Sequence, residues 1–364
     1  MPKKIVLLGL CIAITVATLY FLYVKNNSEQ STKNTQTISQ KISPTSTPTP
    51  MKVTRSIFVP YWQLSADSDY SLYDTLYYFG ISANSSGIDK SDPGFINLKK
   101  FTSSAQDKKR YLTLRMLDVD DNLSILENKK LQEKVIKETL QAAQDNGFTG
   151  VVLDLELGVL PLTAVVNKIN TFTANFYLSA KQNNLTFMQA VYGDVFYRKR
   201  PFDVKYLAEN SDGIIVMAYD FHKSGGDPGP NFPFKGREKY GYDFETMIEN
   251  YLSVVPADKL TVTFGMFGYD WITDMEGKRL KNGTALSLNE IKQEYIEKCD
   301  WKNCVQRRDP EAGEMEINFV DSTSSSTIIY HKLWFEDESS VDQKMQFLKT
   351  KGIGSVAYWT YGYF

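Results

Sequence analysis

Eight short apolar runs spaced along residues 56–362 constrain this chain more than any other feature. They are SIFVPYW (56–62), LYYFGIS (76–82), YLTLRML (111–117), GVVLDLEL (150–157), LTFMQAVY (185–192), GIIVMAYD (213–220), LTVTFGMFG (260–268) and GSVAYWTYG (354–362). Each is apolar and rich in β-forming residues. Helix-like segments lie between them. NKKLQEKVIKETLQAAQDNG (128–147) spaces its apolar residues by three and four and stops on a glycine, and SSVDQKMQFLKTKG (339–352) is closed the same way. Such alternation predicts parallel strands joined by helical crossovers. Eight units over roughly 310 residues fit a (β/α)8 TIM barrel, which uses about 250 residues plus insertions. The surplus falls between the seventh and eighth strands, where residues 274–333 read as a small α+β insertion. A doubly wound open sheet uses the same units, but no Gly-rich phosphate loop supports it.

In the fourth run Asp154 and Glu156 stand two apart near the strand's C-terminal end, so both carboxylates point the same way, and Val152 shares their face. In a parallel barrel those strand ends form the mouth where active sites are built. Two neighbouring carboxylates repel one another as anions, so at least one holds its proton to higher pH, and Glu156 becomes a candidate general acid near neutrality. The bland alternative is a strand that simply ends in solvent beside a lysine.

The context of the pair favours the first. GFTGVVLDLE (147–156) resembles the signature of glycoside hydrolase family 18, in which a glycine leads into alternating acidic residues ending in Glu. The resemblance implies that Glu156 is the proton donor and that Asp154 orients the substrate's acetamido group and shares the donor's proton. The outermost acidic position of that signature is occupied here by Val152, a departure that bears on the cycling of Asp154. VMAYD (216–220) resembles the family's sixth-strand motif, which implies an acetamido-binding hydroxyl at Tyr219, a sugar-binding carboxylate at Asp220 and a pocket-lining Met217. AYWTYG (357–362) resembles the segment whose tryptophan forms the pocket floor, here Trp359. FGMFGYDW (264–271), DFHKSGGDPGPNFPF (220–234) and the C-terminal stretch 331–362 look like the bacterial subgroup of spore-cortex-lytic and spore-coat glycosidases.

The resemblance spans roughly residues 53–364 and implies a retaining, substrate-assisted hydrolase of N-acetylglucosamine-containing glycans such as peptidoglycan or chitin. A second reading, from another class, is a lectin-like family member that binds the glycan without cleaving it, and Val152 is the residue that favours it. A surface scaffold acting through the insertion has no motif behind it.

Composition excludes more than it identifies. Two histidines, His222 and His331, and three cysteines, at 11, 299 and 304, make a His/Cys metal centre or a histidine triad unexpected, and no cofactor or metal is implied. A formal net charge of −2 without long single-sign runs disfavours nucleic acid as partner, and the expectation is a monomer.

The N-terminus adds a location. Ile5–Val24 is almost purely apolar, follows Lys3 and Lys4, and at 1.5 Å per residue spans about 30 Å of hydrocarbon. It reads as a single transmembrane anchor (1–25) with the bulk of the chain outside the cytoplasm, a cleaved signal peptide being the alternative. Residues 26–52, made of Ser, Thr, Asn, Gln and Pro, read as a disordered tether to a folded domain at 53–364. Outside the cytoplasm Cys299 and Cys304 are close enough to close a small disulfide loop, two free thiols being the alternative.

Overall fold

Each of the eight apolar runs forms a strand in the computed structural model, which describes residues 53–65, 67–297, 299, 301–321 and 328–364. In chain order the strands are β1 (Thr54–Pro60), β2 (Thr75–Asn84), β3 (Gly87–Ile88), β4 (Lys109–Met116), β5 (Gly150–Leu155), β6 (Thr186–Tyr192), β7 (Gly213–Ala218), β8 (Leu260–Gly265), β9 (Phe267–Thr273), β10 (Thr284–Ser287), β11 (Lys302–Arg308), β12 (Met315–Asp321), β13 (Ile329–Phe335) and β14 (Ser355–Trp359). The strands β1, β2, β4 to β8 and β14 pair in parallel in the order β1-β14-β8-β7-β6-β5-β4-β2, and β1 also pairs with β2. Ile57 has Tyr358 on one side and Leu76 on the other, so the sheet closes on itself as a barrel with no free edge. That closure rules out the open doubly wound sheet.

The apolar runs lack alternation because both faces are covered. Phe58, Tyr77, Tyr111, Val152, Ala190, Ile215 and Ala357 fill the lumen, while their strand neighbours Ile57, Leu76, Leu112, Leu153, Phe187 and Val216 pack outward against the helices. The helix expected at 128–147 is found as Lys129–Asp145, where the Asn128 side chain accepts the N–H of Leu131 and so satisfies a donor of the first turn. The last crossover helix, Glu338–Thr350, starts from a capping box in which Asp337 and Ser340 bond each other's backbone.

Between β8 and β14 the insertion is a five-stranded antiparallel sheet, ordered β10-β9-β13-β12-β11, with a short helix at Leu288–Ile291. It opens at Phe267 and closes at Phe335, wider than the expected 274–333. The run FGMFG conceals the switch, because the residues on both sides of Met266 are strand and both are buried. Gly265, at the end of β8, has no room for a side chain: a Cβ there would lie 2.6 Å from the Cβ of Tyr219. Cys299 and Cys304, within the insertion, are joined by a disulfide.

Residues Met51–Phe364 form one compact unit. Among the described residues no helix is long and apolar enough to cross a membrane. The expected anchor at Ile5–Val24, the tether at 26–52 and Cys11 lie outside the described residues.

Candidate active site

At the C-terminal ends of the barrel strands the chain leaves a cleft of about 630 Å³. Asp154, Glu156, Tyr219, Asp220 and Trp359 all line it, so five of the six side chains singled out from the sequence meet in one place. The sixth, Met217, is not among the lining residues. It is buried, 8% exposed, one lumen layer below Tyr219 and in register with Tyr192. Strand parity gives Met217 the same facing as Tyr219 but sets it two residues deeper, which explains the difference.

Asp154 is the last inward-facing residue of β5, and Glu156 follows just beyond the strand's end. Burial, with Glu156 beside it, holds the Asp154 carboxyl well above the ordinary carboxylate range, against a smaller pull from Arg115. Its Oδ1 is buried and has no hydrogen-bond partner among the described residues. Burial also raises Glu156, with the Tyr192 hydrogen bond and the charges of Arg200 and Lys223 pulling the other way. Its backbone is held on both sides, the N–H donating to Met116 O at 2.8 Å and the C=O accepting from Asn122 Nδ2 at 2.9 Å. The result is a pair of carboxyls that keep protons at a pH where exposed ones do not. Val152, beneath them in the lumen, is fully buried and apolar.

Asp220 sits in the left-handed region with φ of 59°, held there by its N–H donating to Asn231 Oδ1 at 2.7 Å. Asp tolerates this conformation better than most residues. Burial pushes its carboxyl up to about 6, although the Tyr269 hydroxyl donates to Oδ1 at 2.8 Å and so favours the charged form. The Tyr219 ring lies near-parallel to Trp359, with centroids 6.4 Å apart, and Trp359 is braced edge-on by Phe79 at 4.7 Å. A flat indole beside a phenol and two buried carboxyls is suited to a ligand with an apolar face and polar edges.

Several residues at the site lie outside the six named from the sequence. Phe267, Tyr269, Ser287 and Glu290 come from the insertion, and Trp62 and Gln63 follow β1, with Trp62 half-exposed. Tyr192, at the end of β6, donates its hydroxyl to Glu156 Oε2 at 3.1 Å. FGYDW reaches the site through Tyr269 because period-two alternation in β9 carries Phe267 and Tyr269 to one face, a signal that is obscured when the stretch is taken as the tail of β8. Among the described residues no cluster of His, Cys, Asp and Glu is arranged to hold a metal ion.

A family model described as Glycosyl hydrolases family 18 matches residues 20–363. Among curated proteins the chain is similar to a cortical fragment-lytic enzyme of Bacillus anthracis, 26% identical over 247 residues, which are 65% of this chain and 52% of that protein. It thus spans about half the length of that relative. Among solved structures it resembles the Bacillus cereus spore cortex-lytic enzyme SleL, with a TM-score of 0.68 at 20% identity over 86% of this chain and 72% of that one. It also resembles the Ostrinia furnacalis Group IV chitinase in complex with allosamidin, with a TM-score of 0.72 at 16% identity over 85% and 92% of the two chains. At these identities the structural likeness speaks for the barrel fold.

Proposed function

The chain belongs to glycosyl hydrolases family 18, and from that membership we propose that it is a retaining, substrate-assisted glycoside hydrolase acting on N-acetylated amino-sugar glycans outside the cytoplasm. The observation that carries the reading is the buried pair Asp154 and Glu156, both held toward their protonated forms at the floor of an aromatic cleft. Glu156 donates its proton to the glycosidic oxygen as the bond to the leaving group breaks, and the carbonyl oxygen of the substrate's own 2-acetamido group attacks the anomeric carbon. The protein then supplies no nucleophile. Asp154 Oδ1, an acceptor without a donor among the described residues, takes the acetamido N–H, and Tyr219 holds the carbonyl end. The cyclic oxazolinium ion is opened by water that gives its proton to Glu156, and two inversions leave the anomeric configuration retained.

The names of similar proteins, a cortical fragment-lytic enzyme and a chitinase, support a glycan substrate of the peptidoglycan or chitin kind. The apolar run Ile5–Val24 and the Cys299–Cys304 disulfide support a membrane-anchored, extracytoplasmic location, since disulfides persist in oxidising compartments. Protease added to intact cells checks this: residues 53–364 are degraded if outside and protected if cytoplasmic.

The reading of the site is tested with residues 51–364, N-acetylglucosamine oligomers and muropeptide glycans. Wild type is expected to release products with retained configuration, and Glu156→Gln to lose activity by about a thousandfold or more, since general acid catalysis contributes roughly 10²–10⁴ and the leaving group here is poor. Equal turnover by both defeats the assignment. A second reading, glycan binding without cleavage, rests on Val152 where the family carries an acid. Binding of the oligomers by wild type with no product release decides for it.

A further inference from the structure

Glu156 has one carboxylate oxygen engaged and one free. Oε2 accepts from the Tyr192 hydroxyl at 3.1 Å, and among the described residues no group hydrogen-bonds Oε1. Tyr192 itself is firmly set. Its ring lies under the Arg200 guanidinium at 3.7 Å, its carbonyl accepts from the Tyr251 hydroxyl at 2.7 Å, and the next residue's N–H donates to Met217 O at 3.0 Å. Arg200 is fixed in turn by a two-point bond to Asp194, Nε to Oδ1 at 2.5 Å and Nη2 to Oδ2 at 2.9 Å. Asp194 is buried, 4% exposed, and also takes a contact from Arg198. The backbone is thus held at two points and the ring at one, which keeps the hydroxyl beside Glu156 Oε2.

We propose that Tyr192 is a positioning residue for the acid: its O–H occupies Oε2 of Glu156 and thereby places the transferable proton on Oε1. The inference rests on Glu156 being the acid of the proposed reaction. While the hydroxyl donates to Oε2 that oxygen is the acceptor, so in that arrangement the proton of the neutral acid resides on Oε1. The same bond is stronger to the anion than to the neutral acid, so it draws Glu156 down from the value burial alone would set. Arg200, over the ring and near Glu156, acts in the same direction. Burial favours the protonated acid, and Tyr192 with Arg200 pulls the other way.

The test is Tyr192→Phe in residues 51–364, which keeps the ring and its stack on Arg200 and removes one hydroxyl. Two readouts are taken. The first is the titration of the Glu156 carboxyl carbon by NMR after labelling with Cδ-¹³C glutamate, the signal being identified by its loss in Glu156→Gln. The midpoint is expected to rise by about one pH unit, the scale of one hydrogen bond to a charged group. Arg200→Gln is expected to raise it by less. The second is hydrolysis of N-acetylglucosamine oligomers, where kcat/KM is expected to fall about tenfold or more and the alkaline limb of its pH profile to move upward with the NMR midpoint. An unmoved midpoint in Tyr192→Phe overturns the proposal, whatever happens to the rate, as does a lowered rate with an unmoved alkaline limb. If wild type turns over nothing, the hydrolase reading fails while the titration still decides whether Tyr192 governs Glu156.

Discussion

Asp154 and Asp220 are both held above the ordinary carboxylate range by burial, so each opposes folding once it ionises. For an acid whose folded value is raised, the favourable contribution is complete below the unfolded value and is lost as pH climbs through the folded one. For Asp220 that window runs from the ordinary aspartate value of 3.8 to about 6. Asp220→Asn keeps an oxygen for the Tyr269 hydroxyl and removes the charge. It is therefore expected to match wild type in stability below the window and to exceed it above by about 2 kcal/mol, because each pH unit across the window is worth about 1.36 kcal/mol, part of it discounted for solvent. Urea denaturation at pH 3.5 and 7.5 checks this, and equal stabilities at the higher pH contradict it. Asp154→Asn follows the same sign, because its Oδ1 has no donor to lose and its neighbour Glu156 no longer faces a second carboxylate. At neutral pH the variant is expected to melt higher than wild type while turning over glycan more slowly, a trade between stability and function common where charges are gathered for chemistry.

The element that joins the barrel to its insertion is the helix Glu338–Thr350, through the fully buried Lys344. Its ammonium bonds Glu314, of the insertion, at 3.0 Å and also contacts Glu336, just past the insertion's end. Burial works to lower Lys344, but the two carboxylates hold it above its ordinary value, while burial raises Glu336 to about 8. Glu314 accepts the N–H groups of Asn231 at 2.6 Å and Phe232 at 2.8 Å, and the Asn231 side chain in turn fixes the backbone of Asp220. Lys344→Met leaves two acids facing each other without a cation, a change that costs about 3–5 kcal/mol when a buried pair is broken. Since Glu336, raised in the fold, opposes it when ionised, the loss is expected to be larger at pH 8 than at pH 5. A loss independent of pH, followed by chemical denaturation, contradicts that account. None of this cluster is legible in the sequence. The eight strands are, because a strand buried on both faces writes its whole length in apolar residues, and so is the Asp154–Glu156 pair, because period two is local. Lys344, Glu314 and Tyr192 carry no such mark: a buried lysine in SSVDQKMQFLKT reads like an exposed one, and its partners are set by contacts 30 and 8 residues away. The onset of the insertion is hidden for a related reason, since hydrophobicity reports burial and not which sheet does the burying.

At the scale of the whole molecule the question is whether the insertion is a rider on the barrel or part of it. Phe267 and Tyr269 from β9 line the cleft, Tyr269 bonds Asp220, and Asn231 Nδ2 donates to Gly265 O on the barrel at 3.1 Å and to Phe267 O on the insertion at 3.3 Å. The buried ionic cluster spans the same seam. A seam with buried charges cannot open halfway without stranding one partner, which costs about 3–5 kcal/mol per broken buried pair and so couples the two sides. Residues 51–364 are therefore expected to unfold in one calorimetric transition with calorimetric and van't Hoff enthalpies that agree. An N-acetylglucosamine oligomer bound in the cleft should raise the midpoint of that single transition, because it binds the native state alone. Two resolved transitions, with the oligomer shifting only one of them, would mean that the insertion folds apart from the barrel, and the cleft would then have to hold its ligand without Phe267 and Tyr269. Replacing residues 267–335 by a short linker separates the cases: the rider leaves a barrel that still binds the oligomer, and the shared seam leaves one that does not.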